Sequence, residues 1–251
     1  MYFSYDQLSF CYEPFPIGLA RPLMEPESYR ELVESYPPIE RFKYIPKLGK
    51  KYSLSERFNP REYRELIRSH PVWREFHSWI KSDAFVAGVL EALRERGIDV
   101  GYEVGTSASQ RALRLLKDIL RRRTTTRRAR LRARFEFSML PADGGHILPH
   151  TDAPSKIITL IVSMLGDGDW DAAYGGATDV NRMKDASRSF NWINFQGRFE
   201  DVEVVDSYPF MPNQAVIFVK TFNSWHSVRP MQGVGSQAMR RTLTINIETR
   251  V

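Results

Sequence analysis

His150 and Asp152 stand two residues apart in "PHTDAPSKIITLIVSML", directly ahead of an apolar run that reads as a buried strand. Imidazole and carboxylate both bind metals, but a His-x-Asp pair ordinarily marks a solvated turn, so the pair needs a third partner. The chain has 5 histidines and a single cysteine, Cys11. One thiol cannot complete a zinc site, so any metal must rest on histidine and carboxylate. The only histidine beyond the pair is His226, in "FNSWHSVRP" after the apolar run "AVIFVK".

Two neutral imidazoles and one carboxylate on one side of an ion leave the opposite positions open, the facial arrangement suited to Fe(II) chemistry with O2. A structural zinc site would be closed by a fourth protein ligand, and none is in view. His146 fits a loop or substrate-facing role, while His70 and His77 fall in a helical region as surface or packing residues.

A second anchor comes from "RRTLTINIE". Strand alternation puts Arg240, Thr242, Thr244 and Asn246 on one face and Leu243, Ile245 and Ile247 on the other. A polar face lined by arginine is costly to bury unless it meets water or a charged ligand, so it should look into a cavity. Arg240 is then placed to hold a carboxylate through paired charge-assisted hydrogen bonds, with Thr242 or Thr244 adding a hydroxyl. A one-residue rotation of the strand would substitute Arg241. Arg229 lies only three residues past His226, too close to serve.

These side chains need a scaffold. Up to about residue 129 the chain reads mainly as helices: "MEPESYRELVESYPP" with Tyr29, Leu32 and Val33 at helical spacing, "NPREYRELIRSHPVW" with Asn59 as N-cap, "SDAFVAGVLEALRERG" opened by Ser82 or Asp83, and "SASQRALRLLKDILRR". From residue 130 the period becomes alternating, first in "RLRARFEFSML", then in "KIITLIVSML", "EDVEVVDSY", "NQAVIFVKT" and "RRTLTINIE". The expected architecture is α+β with a mainly β core. Residues 130–251 form the jelly roll and residues 1–129 a helical support on its outer face, the whole as one domain.

Composition agrees with a globular chain: 42% hydrophobic, 26% charged, and no run long enough to span a bilayer. The first residues carry an acid and polar groups where a signal peptide needs basic residues and an apolar core, so a cytoplasmic location is expected. The net charge of +6 is concentrated in "RRRTTTRRARLRAR", residues 121–134. Such a run suits nucleic acid or peripheral contact with an anionic surface, or simply a solvated helix end. Its tail as a strand would instead aim Arg132 and Arg134 into the cavity beside Glu136, which favours an anionic substrate, with Arg134 as the substrate-binding candidate. Trp170, Trp192 and Trp225 are further cavity candidates.

Together, "HTD", "GGATDV", "NSWHSVRP" and "RRTLTINI" resemble the Fe(II)- and 2-oxoglutarate-dependent oxygenases, in particular the bacterial and phage branch related to prolyl hydroxylases. The resemblance covers residues 130 to the end. It implies a double-stranded β-helix, Fe(II) on His150, Asp152 and His226, 2-oxoglutarate with its far carboxylate on Arg240, O2 as oxidant, ascorbate as an optional reductant, and hydroxylation of an unactivated C–H in a small-molecule or glycan-type substrate. Asp152 stands where halogenating relatives have a small residue, which argues against chlorination. Asn246 replaces the aromatic of several relatives, and the Arg-x-Asn-x-Thr-x-Arg of nucleic-acid demethylases is absent, which argues against a DNA-repair role. The competing classes are a non-catalytic jelly-roll carbohydrate-binding module and a basic nucleic-acid-binding protein.

Overall fold

The computed structural model describes residues 2–102 and 131–249. The helix expected at 107–122 and positions 121–130 of the arginine run, Arg130 among them, lie outside the described residues.

In chain order the elements are β1 (Ser9–Cys11), β2 (Ile17–Ala20), α1 (Pro26–Glu34), β3 (Lys43–Ile45), β4 (Lys51–Leu54), α2 (Pro60–Ser69), α3 (Pro71–Ile80), α4 (Asp83–Arg94), β5 (Leu131–Pro141), β6 (Ile147–His150), β7 (Lys156–Ser163), β8 (Thr178–Met183), β9 (Val202–Tyr208), β10 (Ala215–Val219), β11 (His226–Val228) and β12 (Met239–Thr249). An eight-stranded sheet runs β1-β2-β10-β7-β12-β5-β4-β3, and a four-stranded sheet runs β6-β11-β8-β9. Phe15, Ile17, Val216 and Phe218 from the larger sheet's side pack with Val180 of the smaller one. This is the double-stranded β-helix, closed at one end by apolar packing and open at the other as a cavity.

The helices form where the sequence supplies both a start and an apolar stripe. Pro26 opens α1, whose Tyr29, Leu32 and Val33 are its buried residues. Pro60 opens α2, which buries Tyr63, Leu66 and Ile67. Asn59 precedes it without a side-chain cap bond; its Oδ1 accepts from Ser55 N and its Nδ2 donates to Arg41 O. Ser82 does cap α4, its Oγ accepting from Phe85 N at 3.2 Å.

All four helices contribute to one core with the outer face of β5, β7, β10 and β12. Trp73 meets Phe137 edge-on at 4.6 Å, and Phe76 meets Phe135 at 5.5 Å. Such pairs add about 0.5–1.5 kcal/mol each beyond area burial. Leu243, Ile245 and Ile247 of β12 join this core. Arg240, Thr242, Thr244 and Asn246 line the cavity on the opposite face, as the alternation predicts.

The first part is mainly helical among the described residues, but it also carries strands that the sequence reading did not expect. Residues 9–54 contribute four strands, which extend both edges of the large sheet: β2 pairs with β10, and β4 pairs with β5. Each is only three or four residues long, too short to establish a period of its own, and is held as a strand by the sheet it joins.

Candidate metal centre

Strand pairing brings the distant histidines together. β6 and β11 run antiparallel with His150 directly opposite His226, and the two rings lie 4.2 Å apart between centroids. Asp152 sits not at a strand start but in the turn after β6, at φ 71°, a left-handed conformation that aspartate tolerates better than most residues. Its Oδ1 is 3.5 Å from His150 Nε2. One ligand atom from each of the three residues lies within 4.8 Å of the others, and among the described residues no fourth histidine, cysteine or carboxylate joins them.

The protonation states suit a cation. His150 Nδ1 lies 2.9 Å from Leu148 O, and His226 Nδ1 lies 2.9 Å from Ser224 O. A carbonyl only accepts, so each Nδ1 carries a proton and Nε2 is the nitrogen turned to the cluster. Burial, reinforced by the neighbouring His150, pushes His226 down to about 3, so its imidazole is neutral. Burial alone would raise the Asp152 carboxyl. The Lys156 ammonium at 2.6 Å outweighs it and holds Asp152 well below the usual carboxylate range.

Asp152 is tied on both oxygens. Lys156 Nζ donates to Oδ1 at 2.6 Å and Thr159 Oγ1 donates to Oδ2 at 2.9 Å. The same threonine hydroxyl lies 3.2 Å from the Asn246 side-chain amide, which links the carboxylate to β12. Sequence reasoning missed Lys156 and Thr159. Thr159 left a trace as the hydroxyl inside "KIITLIV"; Lys156 left none, because a basic residue at a strand start is commonplace.

At the far end of the same face Arg240 is 5% exposed. Its Nε donates to Gly176 O at 2.6 Å, an Nη sits 3.4 Å from Thr178 Oγ1, and its guanidinium stands 4.5 Å from the Phe210 ring centroid. Gly176, from "GGATDV", has φ 84°, and a Cβ there would come within 3.2 Å of Arg240 Cδ, so glycine leaves the arginine its room. Burial lowers Arg240 to about 10, still fully charged at neutral pH. Among the described residues no carboxylate lies within ion-pair distance of it. Arg241 faces the other way, pairing with Asp169 and covering Tyr36. Arg229 is engaged by buried Asp179 at 2.8 and 3.1 Å.

A cavity of about 330 Å³ connects these groups. His150, Asp152, His226, Arg240, Thr242, Thr244 and Arg134 all line it, as do Glu136 and the unanticipated Lys47, Lys51, Arg57, Asn194 and Gln196. Other expected lining residues are elsewhere. Arg132 is exposed and paired with Glu248 at 3.0 Å. Trp225 is buried and donates to Ser189 O, Trp170 packs edge-on against Phe210, and Trp192 is an exposed residue tilted against Phe222. His146 is held by Gly144 O and packs near Phe199, outside the cavity lining.

No family model matches this chain, and no curated protein matches it. Solved structures do. A prolyl-4-hydroxylase from Pseudomonas putida superposes at a TM-score of 0.53 over 93% of this chain and 92% of that one, with 11% identity. HygX from Streptomyces hygroscopicus, crystallised with nickel and 2-oxoglutarate, gives 0.49 over 93% and 82%, with 8% identity. The chain shares the double-stranded β-helix fold of the Pseudomonas hydroxylase. On that fold it carries an open His-Asp-His cluster whose donor set fits Fe(II), and beside it a buried guanidinium that fits a carboxylate.

Proposed function

We propose that this chain is a single-domain, cytoplasmic Fe(II)- and 2-oxoglutarate-dependent dioxygenase that hydroxylates an unactivated C–H of a small-molecule or glycan-type substrate. The observation that carries the reading is the charge pattern of one cavity: a metal-competent triad with open positions shares it with a buried arginine that has no carboxylate partner among the described residues. An uncompensated buried cation costs several kcal/mol. A dicarboxylate that reaches both the metal and Arg240 would remove that cost.

His150, Asp152 and His226 would hold the iron and Arg240 the far carboxylate of 2-oxoglutarate, with Thr242 and Thr244 supplying hydroxyls on the same cavity wall. Bound there, Fe(II) supplies the oxidation in which O2 and 2-oxoglutarate yield succinate, CO2 and the hydroxylated substrate. The backbone carbonyls of Leu148 and Ser224 orient the two imidazoles, and Lys156 and Thr159 keep Asp152 ionised and fixed. Among the described residues no helix is long and apolar enough to cross a membrane.

A carbohydrate-binding module on the same fold leaves Arg240 unexplained. A nucleic-acid binder rests mainly on positions 121–130, and the described end of that run, Arg132 and Arg134, is spent partly on Glu248. The test is succinate release from 2-oxoglutarate under air. Release that depends on added Fe(II) and is lost in H150A supports the reading; metal-loaded protein that consumes no 2-oxoglutarate rejects it.

A further inference from the structure

Six cationic side chains line the cavity, Lys47, Lys51, Arg57, Arg134, Lys156 and Arg240, against two carboxylates, Glu136 and Asp152. Lys51 is neutralised by Glu136 at 2.6 Å and Lys156 by Asp152 at 2.6 Å. Arg240 is reserved for the cosubstrate in the reading above. Arg134 donates from Nε to Glu248 Oε1 at 3.0 Å, but Arg132 uses the same oxygen, so one buried carboxylate serves two guanidinium groups. Lys47 and Arg57 have no carboxylate partner among the described residues. Arg57 and Arg134 thus leave positive charge over in the cavity lining.

They meet at one end of β5. Leu54 of β4 is opposite Phe137, so Arg57, three residues past Leu54, runs towards Arg134, three residues before Phe137, whereas Lys47, in the turn beyond the Ile45–Lys51 pair, lies at the other end, towards Leu140. Strand register separates this charge from the cosubstrate arginine. Arg240 is opposite Leu140, whereas Arg134 is opposite Asn246, six residues further along β5. At about 3.4 Å per residue the two arginines are roughly 20 Å apart at their backbones, too far for one short dicarboxylate to satisfy both.

Register also ties the charge to the metal cluster. Asn246 is opposite Arg134 on one side and Thr159 on the other, and Thr159 holds Asp152. Two strand spacings, roughly 10 Å, therefore separate the backbone of Arg134 from that of the residue bonded to the metal-facing carboxylate.

We propose that Arg57 and Arg134 form a second anion site at the cavity mouth, and that the substrate carries a carboxylate or phosphate group held there while a nearby carbon faces the metal. The assignment of this anion to the substrate rests on the dioxygenase reading; the existence of the site does not. The guanidinium of Arg134, oriented by Glu248, would supply directional hydrogen bonds, and exposed Arg57 would draw the anion in.

The test is calorimetric titration of inorganic phosphate and, in parallel, acetate into the full chain saturated with Mn(II) and 2-oxoglutarate, at fixed ionic strength. Saturable binding weakened at least tenfold in R57Q/R134Q, and also weakened in R57Q alone, is expected, with R198Q on an exposed arginine outside the cavity lining as the control. The tighter of the two anions distinguishes a phosphorylated from a carboxylated substrate. Absence of saturable binding for either anion, or binding that R57Q/R134Q retains in full, overturns the proposal. Should 2-oxoglutarate itself fail to bind, the dioxygenase reading falls, and the same titration on R240M protein, where the competing anion site is gone, still decides whether the mouth site exists.

Discussion

Arg240 and Arg241 are adjacent on β12 and project from opposite faces of the sheet: the first is buried in the cavity beside Gly176 and Thr178, the second pairs with Asp169 outside it. One position of strand rotation separates a guanidinium buried in the cavity from a surface ion pair. R240M is therefore expected to weaken 2-oxoglutarate binding about 30-fold or more, since removing one partner of a buried charge pair costs about 2–5 kcal/mol. R241M should change it less than about twofold, because exposed ion pairs contribute little. Calorimetric titration of 2-oxoglutarate into Mn(II)-loaded protein reads both.

Thr159 would act on a bound metal through Asp152. Replacing it by valine keeps the strand shape and removes the hydroxyl that holds Asp152 Oδ2. Loss of such a support typically lowers metal affinity about 10- to 100-fold. Competition for Mn(II) against a fluorescent chelator measures it, and an unaltered affinity in T159V would show that Lys156 alone suffices to fix the carboxylate.

Glu56 gives a stability prediction with a definite pH window. His77 at 3.7 Å, opposed by partial burial and aided by Lys81 at 2.8 Å, holds it down at about 2 against an ordinary 4.5. The folded state therefore favours the ionised carboxylate. Its contribution is complete above about 4.5 and is lost as the pH falls towards 2. Because the group is substantially exposed, it is worth no more than about 1 kcal/mol, or roughly 2–4 °C in a chain of this size. E56Q should melt below the parent protein at pH 7, and the gap should close on acidification; a gap that widened at low pH would contradict the assignment.

Phe135 tests whether the helical layer supports the site. It is 1% exposed on the outer face of β5, against Tyr63, Trp73 and Phe76, while its neighbours Arg134 and Glu136 line the cavity. F135A should cost about 3–5 kcal/mol, read as a lower midpoint in urea. At temperatures where the variant remains folded, metal binding should persist, since no ligand sits on β5.

The catalytic face was legible because it repeats with the period of a strand: Arg240, Thr242, Thr244 and Asn246 alternate with Leu243, Ile245 and Ile247, and burial enforces that split. His226 was legible by elimination among 5 histidines. The strands at 9–11, 17–20, 43–45 and 51–54 were not, because pairing with β10 and β5 rather than local pattern makes them strands. Lys156 and Arg57 were invisible for a related reason: their roles come from what the fold brings beside them. The tryptophans misled because residue type indicates burial but not which side of a wall a ring occupies. Trp225 is in the interior, and Trp192 is on the surface.

The central claim is that one cavity binds Fe(II) and 2-oxoglutarate together, and anaerobic titration tests it most directly. Fe(II) is added to the full chain, then 2-oxoglutarate, while the visible charge-transfer absorption of the chelate is followed. One equivalent of each should bind, with 2-oxoglutarate requiring the metal, and the absorption should vanish in H226A and weaken in R240M. Fe(II) binding with no absorption change on adding 2-oxoglutarate, or an absorption that survives H226A, would contradict it.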